Sequence, residues 1–312
     1  MSGGKGMKVL IATDGSEQAT TAMRTAARVL CKEGNQFDLL CVAPRLTLKK
    51  RGSDKTKEEI RKMHADYQGK ITEEAKKILE LSKVVMSGEG IKAGTVFEAG
   101  SPANVIIDKS EGYDLTVVGA HDKYEKEKPG LGPVALRVVA QAPTAVLIAR
   151  ELAAEKALRI LIATDGSLAA EEAISLMTEY FNVELADITV MHIVETPWIH
   201  LGLEPEWFDF RGRNFDRSDP TTMLDHEIRI EAEDVIETAR KRLESAGLGS
   251  EPMIVEGDPA LELLSEAEKG EYDLIVLGAT GISDFKHDLL GSVSIKVARD
   301  ASCSVFIVKF AE

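Results

Sequence analysis

Short runs of apolar residues alternate along the chain with longer segments in which apolar residues recur every three or four positions. In the first 150 residues, the short runs predict five strands, near 7–13, 37–43, 92–98, 113–119 and 144–149. The longer segments predict helices between them, near 16–33, 56–86, 102–110 and 133–141. Because strands that alternate with helices are joined by crossover connections, this order predicts a parallel sheet flanked by helices.

The longest predicted helix of each half carries one apolar stripe. In the first half, the stripe consists of Ile60, Met63, Tyr67, Ile71, Ala75, Ile78 and Val85. In the second half, it consists of Ile228, Ala232, Val235, Ala239 and Leu243. Stripes at this spacing predict that one face of each helix packs against the sheet.

Three segments of the first half return in the second half. Residues 8–16 return as 159–167, 98–103 as 256–260, and 113–120 as 272–279. With two copies of about 150 residues each, the repeated unit is a whole domain rather than a solenoid unit. We therefore predict an α/β protein of two tandem domains, residues 1–150 and 151–312. Each is expected to be a doubly wound, parallel, five-stranded sheet flanked by helices.

Three glycines and a serine follow the apolar run at residues 272–277, in the order Gly278, Gly281, Gly291 and Ser292. A helix is predicted to begin near Gly291, and the unpaired N–H groups at the start of a helix attract anions. Glycines let the backbone approach a ligand closely, and the serine adds a hydroxyl donor. The spacing is neither a Walker A motif nor the Rossmann fingerprint. It suits a polyphosphate, although glycines so placed also occur simply as turn residues.

The Ala-Thr-Asp-Gly-Ser opening of each half, the doubled alternation of strands and helices, and the Gly-x2-Gly-x9-Gly-Ser spacing together resemble the universal stress protein family. The chain is similar to the tandem type of this family over nearly its whole length. The resemblance implies the fold known as adenine nucleotide alpha hydrolase-like. It also implies an adenine nucleotide as partner, with ATP as the cofactor, either alone or with Mg²⁺.

The resemblance implies a role for residues of the second half. Asp165 is expected to contact the adenosine end of ATP, and the backbone around Ile193 is expected to meet the adenine. The residues expected around the ribose and phosphates are Gly278, Gly281, Gly291, Ser292 and Val293. Ala163 and Thr164 complete the candidate site. These positions follow predicted strands, where open α/β sheets bind ligands. Asp165 also fits a helix cap or a turn.

The first half departs from this pattern. Aligned on Tyr113 and Tyr272, its motif has Asp122 at the position of the second glycine and Pro133 at the position of the serine. A carboxylate about 4 Å from a phosphate charge costs about 1 kcal/mol in water and about 4 kcal/mol in a partly buried site. The proline removes a hydroxyl and a backbone N–H. We expect this degenerate domain not to bind ATP tightly, and a metabolite, a lipid or a packing role remains open for it.

We expect a nucleotide-binding stress-response or signalling module that holds ATP in the second domain and has at most weak ATPase activity. The alternative is a slow ATP hydrolase in which Asp284 and Asp288 hold Mg²⁺ or orient water. No Walker-type lysine or arginine finger is recognisable, and efficient phosphoryl transfer depends on such charges. His192 and His287 are isolated in the sequence and form no catalytic pattern.

The net charge and the length of the apolar runs argue against two kinds of partner, nucleic acids and membranes. A net charge of −14 argues against a nucleic-acid partner, because such binding rests mainly on phosphate neutralisation. No apolar run approaches the roughly 18 residues of a membrane span, and the N-terminus lacks the apolar core of a signal peptide. We therefore expect a cytoplasmic protein with no membrane partner. Cys31, Cys41 and Cys303 show no metal-ligand spacing and are predicted to be buried, reduced thiols.

Two further segments bear on assembly. The last strands of domains in this family commonly form dimer contacts, and here residues 144–148 and 302–308 can form them within the chain, as a pseudo-dimer, or in a homodimer. Residues 198–215 have no counterpart in the first half and contain both tryptophans. We expect this aromatic insert to pack against the other domain, to cover the nucleotide, or to contact another molecule.

Overall fold

The computed structural model describes residues 6–45, 54–120, 130–152, 156–195, 220–281 and 290–309. The chain divides into two compact units, drawn mainly from residues 1–152 and from residues 153–312. Several predicted positions lie outside the described residues, namely Asp122, Asp284, His287, Asp288 and the insert at 198–215. The expectations about them stay predictions.

The first unit is a parallel sheet whose strands alternate with helices. Its strands are β1 (Lys8–Ala12), β2 (Gln36–Ala43), β3 (Ala93–Ala99), β4 (Leu115–Gly119) and β5 (Ala145–Ala149). Its helices are α1 (Glu17–Leu30), α2 (Asp54–Gly88), α3 (Pro102–Ser110) and α4 (Pro133–Gln141). The strand order is β3-β2-β1-β4-β5, and each neighbouring pair is parallel. The chain thus winds outward from β1 in both directions, as predicted.

The second unit repeats this topology. Its strands are β6 (Arg159–Ala163), β7 (Asp187–Val194), β8 (Glu251–Glu256), β9 (Leu274–Gly278) and β10 (Ser304–Val308). Its helices are α5 (Leu168–Tyr180), α6 (Pro220–Ser245), α7 (Pro259–Lys269) and α8 (Ser292–Asp300). The order is β8-β7-β6-β9-β10, again with parallel pairs. The predicted α/β fold is therefore confirmed, and the sequence repeat is a repeat of the fold.

A repeated aspartate ties two strands together at the amino end of each sheet. Asp114, just before β4, accepts a hydrogen bond through Oδ2 from the N–H of Lys8 at 2.7 Å. Asp273, just before β9, accepts one in the same way from the N–H of Arg159 at 2.9 Å. This part of the repeat thus holds the sheet together and lies away from the carboxyl ends of the strands.

The stripe predicted for α2 is wrong in its N-terminal part. Met63 and Tyr67 are 68% and 57% exposed. Among the side chains that the structure describes on this helix, the buried ones are Ala75, Leu79, Ser82 and Met86. Of the other predicted stripe residues, Ile71, Ile78 and Val85 are half-buried, and the side chain of Ile60 lies outside the described residues. A 35-residue helix is about 50 Å long, roughly twice the length of the eight-residue strand β2, so its first turns extend past the sheet. In α6, the predicted stripe is confirmed at Ala232, Ala239 and Leu243, which are buried.

The three cysteines are free thiols with different environments. Cys41 and Cys303 are buried, as predicted, but Cys31 is exposed. The prediction is wrong for Cys31 because this residue follows the last turn of α1, at the C-cap, rather than lying on its buried face. Within the described part of the chain, no helix combines the length and the apolar composition that a membrane span needs.

Candidate functional site

A cleft of about 620 Å³ opens at the carboxyl ends of β6, β7 and β9. It lies where the strand order turns, since β6 has β7 on one side and β9 on the other. Such a switch point is where open α/β sheets bind ligands. The nine residues predicted for the site all line this cleft: Ala163, Thr164, Asp165, Ile193, Gly278, Gly281, Gly291, Ser292 and Val293.

The turn after β6 presents Asp165 to the cleft. Its Oδ1 accepts a hydrogen bond from the N–H of Ser167 at 3.0 Å, and Thr164 Oγ1 accepts one from Gly166 at 3.2 Å. Gly166 has a φ of 78°, which side-chain-bearing residues rarely adopt. Asp165 is therefore a turn residue and a lining residue at once, so the two roles considered for it are compatible.

Ser167 joins this turn to the loop that follows β9. Its hydroxyl accepts a hydrogen bond from the N–H of Ala170, in the first turn of α5, at 3.3 Å. The same hydroxyl donates to the carbonyl of Thr280 at 3.4 Å. Because a hydroxyl both donates and accepts, one serine caps the helix and holds the neighbouring loop in place.

The two glycines of the β9 loop are required for different reasons. A Cβ atom on Gly278 would lie 2.7 Å from the backbone nitrogen of Ala170 and 2.8 Å from atoms of Ala169, so the end of β9 packs directly on α5. A Cβ atom on Gly281 would instead lie 2.7 Å from Oδ2 of Asp165. Close approach to a ligand was the reason predicted for both glycines. For Gly278, the close approach in the structure is to a helix.

The start of α8 faces the cleft without a side-chain cap. Gly291 is the N-cap residue and offers no side-chain acceptor, while its N–H donates to the carbonyl of Ala279 at 2.7 Å. Ser292 and Val293 form the first turn of the helix and line the cleft. The first N–H groups of a helix have no partner within the helix, so this turn suits an anion.

Ser294 and His192 line the cleft but were not predicted as site residues. Ser294 donates from its hydroxyl to the carbonyl of Gly278 at 2.9 Å, which fixes α8 to the end of β9. His192 Nδ1 lies 2.8 Å from the carbonyl oxygen of Thr164. Because a carbonyl only accepts, Nδ1 is the donor in this contact, and in the tautomer that carries its one proton on Nδ1 the other nitrogen, Nε2, is an acceptor. Their positions in the sequence could have indicated both residues, since His192 is next to Ile193 and Ser294 is two residues after Ser292.

The charge of the lining is negative. Asp165, Glu195 and Glu231 contribute carboxylates, and the described lining residues include no lysine or arginine. Glu195 and Glu231 are exposed, so water screens them, whereas Asp165 is half-buried. A polyphosphate in this cleft would have to be balanced by the start of α8 and by a cation.

The first unit has a smaller cleft at the equivalent place, with a volume of about 320 Å³. Asp14 and Gly119 line it, as their preservation in the sequence suggested. The N–H of Gly132 donates to the carbonyl of Ala120 at 2.7 Å, as Gly291 does in the second unit. The backbone frame is thus repeated even though the side chains differ.

Comparison with known proteins agrees with this architecture. The model of the universal stress protein family matches twice, over residues 7–150 and 157–309. The chain belongs to the universal stress protein family. Two matches that together span nearly the whole chain correspond to the tandem type.

Relatives of this universal stress protein match one half or the whole chain. Universal stress protein MJ0531 of Methanocaldococcus jannaschii is 32% identical over 155 residues, which is 48% of this chain and 81% of that protein. A Mycolicibacterium smegmatis universal stress protein is 26% identical over 309 residues, 96% of each chain. The crystal structure of an Archaeoglobus fulgidus universal stress protein covers 97% of this chain and 98% of its own, with 21% identity and a TM-score of 0.66. This last likeness supports the fold.

Proposed function

We propose that this universal stress protein binds an adenine nucleotide, ATP above all, in the cleft of its second unit and acts as a stress-response or signalling module. The domain with the intact motif comprises residues 151–312, and the degenerate domain comprises residues 1–150. The main support for the proposal is that the residues of the candidate site meet in one place. Nine residues chosen from the sequence, on four separate segments, line one cleft at the switch point of the sheet.

The described side chains fit the parts of a nucleotide. The uncapped first turn of α8 and the hydroxyl of Ser292 suit a phosphate. The carboxylate of Asp165 suits the hydroxyl donors of a ribose. The backbone around Ile193 and the acceptor nitrogen of His192 suit the edge of a base that carries an amino group. The absence of a side chain on Gly281 keeps the space beside Asp165 open.

The carboxylates of the cleft support a role for Mg²⁺ with ATP. Magnesium is bound in proteins by one or two carboxylates together with phosphate oxygens and water. Glu195 and Glu231 repel a bare triphosphate more strongly than a monophosphate, because the triphosphate carries more charge. We therefore propose that ATP binds as its magnesium complex, whereas AMP needs no metal.

Binding without rapid turnover is favoured over hydrolysis. Phosphoryl transfer is accelerated by positive groups around the transferred phosphate, and the described lining supplies three carboxylates instead. Single-turnover measurement with purified full-length protein distinguishes the two activities. Release of phosphate faster than dissociation of ATP would establish the hydrolase.

Calorimetry on the full chain tests the proposal. We expect one ATP site per chain. Asp165→Asn should weaken ATP binding at least about tenfold, because the amide loses the charge that strengthens hydrogen bonds from the ribose hydroxyls. The amide keeps the acceptor for the N–H of Ser167, so the turn should be preserved. The matched variant Asp14→Asn in the first unit should leave ATP affinity unchanged. Two comparable sites, or equal losses in the two variants, would contradict the assignment to the second unit.

A further inference from the structure

The cleft at the carboxyl ends of β1, β2 and β4 in the first unit has the size of a ligand site. Its volume of about 320 Å³ is within the range of small-molecule sites, which begins at about 300 Å³. Asp14 lines this cleft as Asp165 lines the larger cleft of the second unit.

The phosphate end of the site is altered at two positions. Pro133 begins α4 where Ser292 begins α8, which removes a hydroxyl and a backbone N–H from the first turn. Ala135 occupies the position of Ser294, whose hydroxyl donates to the carbonyl of Gly278 in the second unit, so this change makes the lining more apolar without removing a free donor. The start of α4 therefore offers fewer donors to an anion than the start of α8.

Much of the remaining lining is apolar. Pro44 follows β2 at the position that Glu195 holds after β7, so one carboxylate of the second cleft is replaced by an apolar ring. The larger apolar residues that line the first cleft include Leu40, Val42, Pro44, Ile106, Val118 and Val134. Such a surface favours a ligand that transfers apolar area out of water.

Asp14 is the ionisable residue of the described lining. Its Oδ1 accepts a hydrogen bond from the N–H of Ser16 at 2.9 Å. Its Oδ2 accepts none from the described residues, so it can accept one from a ligand. A half-buried carboxylate in an apolar cleft attracts a donor and repels an anion.

We propose that the first unit holds a second binding site, for a small uncharged ligand with a largely apolar body and a hydroxyl or amine donor. The donor meets Asp14 Oδ2, and the apolar body lies against Leu40, Val42 and Val118. This site is separate from the nucleotide cleft and does not depend on nucleotide binding by the second unit.

Two fluorescent probes that differ by one charge test the proposal on the full chain. N-phenyl-1-naphthylamine is uncharged, has aromatic rings and one N–H donor, and fluoresces in apolar surroundings. 8-Anilino-1-naphthalenesulfonate is the same molecule with a sulfonate added. We expect one saturable site per chain for the neutral probe and affinity at least about tenfold weaker for the sulfonate. Saturating ATP with Mg²⁺ should not change the neutral-probe titration. Equal affinity for the two probes would overturn the proposal.

Matched variants locate the site. Val42→Trp fills the first cleft and should weaken the neutral probe at least about tenfold, since added volume excludes the ligand. Ile193→Trp makes the same change at the equivalent position of the second unit and should leave probe affinity unchanged. Asp14→Asn should strengthen sulfonate binding. The reverse pattern for the two tryptophan variants would assign the probe to the second unit and refute the proposal.

Methyl NMR of the unmutated chain provides a test that needs no variant to fold. The neutral probe should shift the methyl signals of Leu40, Val42 and Val118 and leave those of Val293 and Leu263 in place. Shifts confined to the second pair, or no saturable shift at all, would refute the site even if Val42→Trp were unstable.

Discussion

A Cβ atom on Gly281 would lie 2.7 Å from Oδ2 of Asp165, closer than real Cβ contacts. The two residues follow different strands, Asp165 after β6 and Gly281 after β9. Oδ1 of Asp165 accepts a hydrogen bond from the N–H of Ser167 at 3.0 Å, so a shift of the carboxylate would strain or break that bond. The glycine therefore preserves the position of a carboxylate that lines the cleft of the second unit.

Two substitutions at Gly281 separate shape from charge. Gly281→Ala should displace the carboxylate of Asp165 and weaken adenosine, AMP and ATP alike, by about tenfold, as loss of one hydrogen bond to a charged group predicts. Gly281→Asp adds a negative charge and should weaken ATP further than AMP. At 4 Å from one phosphate charge, the added repulsion is about 1 to 4 kcal/mol, depending on solvent exposure. Isothermal calorimetry with the three ligands measures both effects.

Adenosine is the internal control for that comparison because it has no phosphate. Its affinity should fall equally in the two Gly281 variants. If Gly281→Asp reduced ATP and AMP affinity to the same extent, the loop would require glycine for its shape alone.

Gly278→Ala should destabilise the second unit. The added Cβ meets the backbone of α5, 2.7 Å from the nitrogen of Ala170, and overpacking of this kind costs about 1 to 3 kcal/mol. The matched change Gly119→Ala meets Gln18 O at 3.3 Å and should cost less than about 1 kcal/mol. Hydrogen exchange of the β9 and β4 amides reports each unit separately. Comparable losses at both positions would show that the contact with α5 is not the cause.

The strands and the glycine-serine loop could be predicted from local sequence, whereas Asp165 and Ile193 were assigned to the candidate site through the resemblance to the family. Buried parallel strands are short apolar runs, and the glycines and serine of the β9 loop lie close together in the chain. The sequence repeat then predicted the same fold for both halves. Each predicted element has its counterpart within a few residues, because turns and caps such as Ser16 also leave a local signal.

Other features depend on distances that sequence does not contain. Met63 and Tyr67 match a helical stripe, but their burial depends on where the sheet ends beneath α2. His192 is isolated in the sequence and reaches the site because β6 and β7 pair in register, which brings it to the carbonyl of Thr164. The clash that makes Gly278 necessary is with a helix more than a hundred residues away in the chain.

Ser292→Pro should weaken ATP binding about tenfold to a hundredfold, because it removes a hydroxyl and an N–H that are suited to a charged phosphate. The helix itself should tolerate the change. Gly291 has φ −63° and ψ 155°, and Gly132, which precedes Pro133, has φ −62° and ψ 156°. The backbone of Gly291, which precedes position 292, is thus already compatible with a following proline. Calorimetry measures the affinity, and thermal unfolding checks the fold.

Ser292→Ala is the control that removes the hydroxyl and keeps the N–H. It should cost about 2- to 10-fold in ATP affinity, the value of one ordinary hydrogen bond. If the alanine and proline variants bound ATP equally, the first-turn N–H of α8 would have no part in phosphate binding.

The stability of the first unit should fall at alkaline pH through Tyr113. Its phenol donates to Asp38 Oδ2 at 2.9 Å, and burial, followed by the hydrogen bond and the charge of Asp38, raises the pKa of Tyr113 from 10.0 to about 12. Because the folded pKa is above the unfolded value, the contribution is complete below pH 10 and is lost as the pH rises through about 12. Tyr113→Phe should therefore be less stable at pH 8, by about 1 kcal/mol, and the difference should vanish toward pH 12.

Asp38→Asn tests the cause of that pH dependence. The amide keeps an acceptor for the phenol but removes the negative charge, so the pKa of Tyr113 should fall toward its ordinary value while the contribution of burial remains. The stabilising effect of Tyr113 should then be lost at lower pH than in the unmutated chain. Denaturant unfolding at intervals from pH 8 to 12 gives the stability difference between each chain and its Tyr113→Phe counterpart, and phenolate absorbance gives the titration directly. If the alkaline profile were the same with and without the Asp38→Asn substitution, the charge of Asp38 would have no part in the shift.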